Sequence, residues 1–227
     1  MDRNLENYWN KRQMKIPLTK EASSYAAFVL SQINPGDIIC DLGGGTGTDA
    51  LFFARNNHPV KFFDISSYAI TQIQEKIHRE NLESIFTAEQ LDFNTGKIPL
   101  LSNSIDVVYA RLSLHYFNKE KTIELFQEIY RVLKKEGQAF ITLKSPEDTV
   151  EMESLRSNAT EIEPYVFADK NQLLSRFPIT ELSNMLNIAG IPVHRTELYK
   201  EKIDGKSDKT QFGNTDLLLN EITFKKE

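Results

Sequence analysis

Two hydrophobic rhythms alternate along the chain. Compact apolar runs at 38–42, 60–63, 85–91, 105–110 and 138–143 read as strands, the continuous ones buried on both faces. Between them apolar residues recur at the three-to-four spacing of a helix face. Ala50 to Ala54 starts one such helix, which His58-Pro59 stops near Asn57. Ser66 or Ser67 caps the next, with Ile70, Ile73 and Ile77 inward. Lys119 to Lys135 carries Ile123, Phe126, Ile129, Tyr130 and Leu133 on one face; Lys134 and Lys135 suit its C-terminal dipole, and Gly137 stops it. Ahead of the first strand, Leu5, Tyr8, Trp9 and Arg12 mark a leader helix interrupted at Pro17. A second helix follows, with Thr19 as its cap and Ala22, Tyr25, Ala26, Val29 and Ile33 as its stripe. Strand and helix thus repeat five times, the signature of a mostly parallel sheet with helices on both faces.

Residues 145–178 break that rhythm. Between Glu147 and Glu163 six acids face the single base Arg156, a pattern of a solvated loop or helix face, or of a lid over a site. Phe177-Pro178-Ile179-Thr180 then opens a helix with Leu182, Met185 and Leu186 inward. Val193–Tyr199, a charged hairpin tip at 200–212 and a last strand from Asp216 to Phe224 end the chain.

The chemistry concentrates at the first strand's end. Asp41 is followed by Gly43, Gly44, Gly45 and Gly47 immediately before a helix. Glycine serves where main chain turns sharply or a ligand must approach closely, and a helix N-terminus beyond such a turn makes a shelf for a nucleotide-like ligand. Gly45-Thr46-Gly47-Thr48-Asp49-Ala50 fits the dinucleotide spacing by itself, but the Asp41 carboxylate repels a pyrophosphate and suits an ammonium. Asp64, 21 residues beyond Gly43, ends the second strand, where an acid reaches both hydroxyls of a ribose.

Composition narrows the partners. Twenty-seven basic against 32 acidic residues give a net charge of −5, which disfavours a phosphate backbone as ligand. The single Cys40 lies in an apolar run, four scattered histidines make no metal motif, and the N-terminus has no signal-peptide core. These features lead to the expectation of a cytoplasmic monomer or homodimer acting on a small molecule, without metal, nucleic acid or membrane.

Asp41 with glycines at 43, 45 and 47 resembles the first motif of the class I S-adenosylmethionine (SAM)-dependent methyltransferases. The resemblance continues through Ile98–Ala110, similar to the family's fourth motif, and through Glu128–Gly137, where Glu136 replaces the usual proline. The Leu112–Phe117 stretch is similar to tellurite-resistance-type methyltransferases. The resemblance implies a Rossmann-like, seven-stranded, mostly parallel sheet ending in an antiparallel hairpin, with SAM as cofactor and S-adenosylhomocysteine (SAH) as product. It assigns Asp41, Gly43, Gly44, Gly45, Thr46 and Gly47 to the amino-acid end, Asp64 and Ile65 to the ribose, and Asp92 with Phe93 to the adenine. Carbonyls near Ala110 and Arg111 would meet the ammonium. Asp106, at the far end of its strand, is structural. His115 either packs at the start of the next helix or positions and deprotonates the acceptor. Tyr8 and Trp9 either staple the leader or close over the site; with Tyr116 and Tyr165 they are the acceptor candidates, alongside Glu161, Glu163 and Phe167. One domain is expected, with a leader or lid at 1–34, a cofactor core at 35–145, an insertion at 146–178, and a closing helix and hairpin at 179–227. A SAM-binding regulator without catalysis, or a nicotinamide-dependent dehydrogenase, are the alternatives.

Overall fold

The computed structural model describes residues 3–16, 21–95, 97–169, 172–202 and 216–227. Seven strands form one sheet in the order β3-β2-β1-β4-β5-β10-β9. These are β1 (Ile39–Leu42), β2 (Val60–Asp64), β3 (Phe86–Gln90), β4 (Ile105–Arg111), β5 (Leu133–Lys144), β9 (His194–Lys202) and β10 (Asp216–Lys225). β1 to β5 pair in parallel, and β10 runs antiparallel between β5 and β9. The chain order reverses between β1 and β4. In a sheet of this kind the crevice for a ligand opens at that point, beyond the carboxyl ends of the strands.

All four residues of β1 are buried, as expected of a strand covered on both faces. On one face pack α2 (Ser24–Leu30), α3 (Thr48–Arg55) and α4 (Ser67–Arg79), around Phe53, Phe62, Ile73 and Tyr109. On the other, α5 (Lys119–Val132) and α7 (Ile179–Ile188) cover Val108, Phe126, Ile141 and Ile222. Ser66 caps α4 by accepting from the Ala69 N–H.

Several elements depart from the sequence expectations. The second helix starts at Ser24, with Ser23 as its cap; Thr19 lies outside the described residues. Asp49 explains the choice: its carboxylate accepts the Ser23 N–H and hydroxyl, each at 2.8 Å, and so anchors this helix to α3. Helix α5 ends at Val132, and Lys134 and Lys135 belong to β5 rather than to a helix terminus. Asp106 supplies the reason. It accepts the Ile38 N–H at 2.9 Å and pairs with Lys134 at 2.7 Å, drawing the chain out of the helix at the sheet's lower rim. Glu136 then takes a left-handed φ of 67°, which a proline ring forbids. Of the expected hairpin tip, residues 200–202 continue β9; 203–212 lie outside the described residues.

The insertion is folded rather than a loop. It comprises α6 (Thr149–Asn158) and a three-stranded antiparallel sheet of β6 (Thr160–Glu163), β7 (Val166–Asp169) and β8 (Gln172–Ser175). Its acids are put to structural use: Glu151 pairs with Arg176 at 2.8 Å and with Lys144 at 3.3 Å, tying the insertion to β5. The leader helix α1 (Arg3–Gln13) lies across the crevice from it. Among the described residues no helix is long and apolar enough to cross a membrane.

Candidate functional site

The carboxyl ends of β1, β2 and β3 deliver Asp41, Asp64 and Asp92 in a row. Asp64 is 5% exposed, and each of its oxygens holds a different segment. Oδ2 accepts the Gly45 N–H at 2.8 Å, and Oδ1 accepts the Ser66 N–H at 2.8 Å. Burial pushes its carboxyl above the ordinary range while these two N–H groups pull it back. Asp92 is buried, and its Oδ1 accepts the backbone and side-chain N–H groups of Asn94 at 3.0 and 3.2 Å.

The glycine turn is shaped by its neighbours. Gly43 and Gly47 have φ of 73° and 72°, the left-handed region. A Cβ on Gly43 would stand 2.5 Å from the Ser113 Cβ, and one on Gly47 only 2.3 Å from the Ile73 Cδ1. Gly44 lies over Asp41: a Cβ there would come within 2.6 Å of the Asp41 Oδ2. Asp41 itself is 1% exposed, and neither of its oxygens has a hydrogen-bond partner. Burial, with Asp49 and Asp64 nearby, drives its carboxyl well up.

In front of the strand tips lies a cavity of about 710 Å³, within the range of small-molecule sites. Gly43, Asp64, Ile65, Asp92, Phe93 and Asn94 form one wall. Leu5, Trp9, Arg12 and Gln13 of the leader helix, with Ile16 just beyond it, form a second. Leu112, Ser113, Tyr116 and Phe117, with Ala168, Gln172 and Leu173 of the insertion, complete it. Trp9 meets Tyr116 edge to face, with ring centroids 4.7 Å apart, so the leader and the segment after β4 close on each other. The leader is latched at its other side. Asn10 accepts the Ser66 hydroxyl at 2.7 Å and donates to the Ser67 hydroxyl at 3.1 Å.

Trp9, Gly43, Asp64, Ile65, Asp92, Phe93 and Tyr116 therefore meet on one cavity, as their assignment requires. Gly44, Gly45, Thr46 and Gly47 stand behind that wall with Asp41. Ala110 and Arg111 do not line it: Ala110 is fully buried and the Arg111 guanidinium pairs with Glu201 at 2.7 Å, so Leu112 and Ser113 occupy that place. Tyr8 meets Trp9 edge to face, with ring centroids 5.4 Å apart, and does not line the cavity. Tyr165 is at an exposed hairpin turn, its N–H bonded to Glu161, and Phe167 is buried inside the insertion. Glu163 accepts the Lys119 N–H at the start of α5. His115 is 3% exposed and off the cavity wall, with its ring 4.3 Å from Tyr116 and its Nδ1 unpartnered. Burial, reinforced by Arg176, Lys144 and Arg12, keeps its imidazole well below the usual range and hence neutral. Gln13, Asn94, Ser113 and Leu173 were not singled out from the sequence. Gln13 carried one available signal, lying one turn beyond Trp9 on the leader helix.

The donors fit an adenosyl sulfonium. A buried carboxylate at the end of β2 sits beside bare main chain at Gly43, and Ile65 and Phe93 offer apolar surface for a flat ring next to Asp92. Residues 39–137 match the family model of the methyltransferase domain. Residues 39–137 thus form a methyltransferase domain similar to those of the class I SAM-dependent family. The chain is 31% identical over 119 residues to the ubiquinone/menaquinone biosynthesis C-methyltransferase UbiE of Hydrogenovibrio crunogenus, a match covering 51% of this chain and 45% of that protein. The chain thus spans about half the length of the curated relatives it matches. Among solved structures, a SAM-dependent methyltransferase of Methanosarcina mazei superposes with a TM-score of 0.69 at 18% identity, covering 88% of this chain and 96% of that one. The Burkholderia thailandensis 1,6-didemethyltoxoflavin-N1-methyltransferase, crystallised with SAH, gives 0.65 at 13% identity over 98% and 82%. At such identities the structural likeness speaks for the fold.

Proposed function

We propose that this protein transfers a methyl group from SAM to a small-molecule acceptor held between the leader helix and the insertion. The observation that carries this reading is the shared cavity: Asp64, Ile65, Asp92 and Phe93 line one side, and Trp9 and Tyr116 close the opposite side. Bound there, SAM supplies an activated methyl whose bond to sulfur breaks as an acceptor lone pair takes the carbon, the bonding electrons remaining on sulfur in SAH. Asp64 accepts the ribose hydroxyls, Asp92 the adenine amino group, and the Gly43–Gly47 turn supports the amino-acid end, with Asp41 beneath it.

The remaining residues orient and dehydrate. Holding donor and acceptor in line is worth on the order of 7–11 kcal/mol in favourable cases, so a strong side-chain base is not required. His115 is buried beside Tyr116, and its neutral imidazole serves to position that ring rather than to touch the acceptor. In this reading the chain is one catalytic unit with 3–16 and the described residues of the insertion as two covers. The test has two stages. Titration calorimetry should detect SAH binding, and SAM with a labelled methyl should pass its label to a component of a metabolite extract. SAH binding without transfer to any extract fraction would favour the non-catalytic regulator; absence of SAH binding at millimolar concentration would overturn the proposal.

A further inference from the structure

The cavity is electrically lopsided. Its two carboxylates, Asp64 and Asp92, are at the strand tips, and Arg12 is the cation on its wall among the described residues. The leader helix separates two tasks by face. Asn10 and Gln13, three residues apart, point to the α4 cap and the glycine turn: Asn10 bonds Ser66 and Ser67, and Gln13 packs against Gly45. Leu5, Trp9 and Arg12 repeat at the four-three spacing of a second face, which turns toward Tyr116, and Ile16 just beyond the helix continues it.

Among the described residues Arg12 also pairs with no carboxylate. The Arg176 and Lys144 cations behind Tyr116 share Glu151. By contrast, Arg12 has the Tyr8 hydroxyl at 3.4 Å and the Trp9 ring, whose centroid is 6.0 Å from its guanidinium carbon. The Arg12 charge acts on His115 and Tyr116, whereas the perturbations of Asp41 and Asp64 come from burial, neighbouring carboxylates and backbone N–H groups. This cation therefore belongs to the acceptor half of the cavity.

We propose that the acceptor is an apolar monoanion, a carboxylate or similar oxyanion on a hydrophobic body, whose charge is taken by Arg12 while Trp9, Leu173 and Phe117 enclose the body. This rests on the methyltransferase reading and names its substrate class. A planar guanidinium presents two parallel donors to a carboxylate. The carboxylates at the strand tips repel the same group, so the ligand enters in one orientation, charge toward the leader and apolar body toward the cofactor. A ligand with two or more negative charges would find no second cation on this wall among the described residues.

Trp9 is the chain's one tryptophan, so its fluorescence reports this wall directly. Phenylacetate and phenylacetamide, titrated in saturating SAH, differ only in the charge. The proposal expects phenylacetate to shift Trp9 emission with at least tenfold higher affinity than the amide. Arg12→Gln should abolish that preference, and Arg12→Lys should retain part of it, with SAH affinity unchanged in both variants. Equal responses to the two probes, including none to either, would overturn it, as would a preference that survives Arg12→Gln. So would a loss of SAH affinity in Arg12→Gln with 5′-methylthioadenosine binding intact, because Arg12 would then serve the cofactor's own carboxylate. Failure of the wild type to bind SAH is read separately and counts against the methyltransferase reading itself.

Discussion

Asp64→Asn isolates the charge at the end of β2 with almost no change of shape. In the native chain each carboxylate oxygen takes one backbone N–H, from Gly45 and from Ser66, both at 2.8 Å. The amide has one acceptor oxygen, so its NH2 must face one of these donors. A buried donor left unsatisfied costs about 1–3 kcal/mol. For a chain of this size that lowers the melting temperature by about 2–12 °C, and it does so without ligand. Ligand binding adds a second loss. A carboxylate receiving two ribose hydroxyls makes two charge-assisted bonds worth about 1.5–3 kcal/mol each, of which the amide keeps at most one in weaker form. SAH affinity should then fall by about 2–4 kcal/mol, roughly 30- to 700-fold. Calorimetric titration with SAH, beside thermal unfolding of the same samples, measures both terms. A folded variant with reduced melting temperature and undiminished SAH affinity would refute the ribose assignment and leave Asp64 as the residue that pins the turn.

Two further perturbations address the turn and the buried histidine. Gly47→Ala forces a Cβ into a left-handed position, at about 1–2 kcal/mol, and against the Ile73 Cδ1 at 2.3 Å. With about 1–3 kcal/mol for overpacking, urea unfolding should show a loss of about 2–5 kcal/mol. Ile73→Val, which removes that methyl, should recover part of it in the double variant; no recovery would refute the steric cause. For His115, burial with Arg176, Lys144 and Arg12 nearby depresses the folded-state pKa, so between that value and about 6.5 only the unfolded chain takes the proton. Its stability contribution is present above about pH 6.5 and is lost as pH falls below that toward the depressed folded-state value. His115→Gln should be less sensitive to that pH change, and identical urea-midpoint shifts for both proteins between pH 7.5 and 5 would refute it.

The sheet was legible because its signals are local. The strands at the centre of the sheet are short, largely apolar runs, and the acids at 41, 64 and 92 lie at or just beyond the strand ends. The errors arose where a distant residue decided the outcome. Nothing near Lys134 announces that Asp106, 28 positions earlier, ends α5 at Val132 by pairing with it. Ser23 likewise caps α2 because Asp49 anchors it from another helix. The acidic stretch at 147–163 suggested solvent exposure, yet Glu151 is 4% exposed, because its cations arrive from β5 and the end of β8. Charge counted along the chain could not reveal that pairing.

The same contrast explains why the two halves of the cavity differ in how much they disclose. The cofactor half is built from residues 41–94, and its recognition depends on main chain, carboxylates and positive φ, features that few residue types can supply. The acceptor half comes from three separate parts of the chain, 5–16, 112–117 and Ala168 with Gln172 and Leu173, and most of its surface is leucine, isoleucine, alanine and aromatic rings. Such side chains occur equally in any core, so their spacing announces a helix or a strand and not a ligand. Discrimination among acceptors then falls to the few polar groups on that surface, and among the described residues Arg12 alone of these bears a full charge. Moving that one charge should alter which molecule is accepted while the strand-tip carboxylates continue to hold the same donor.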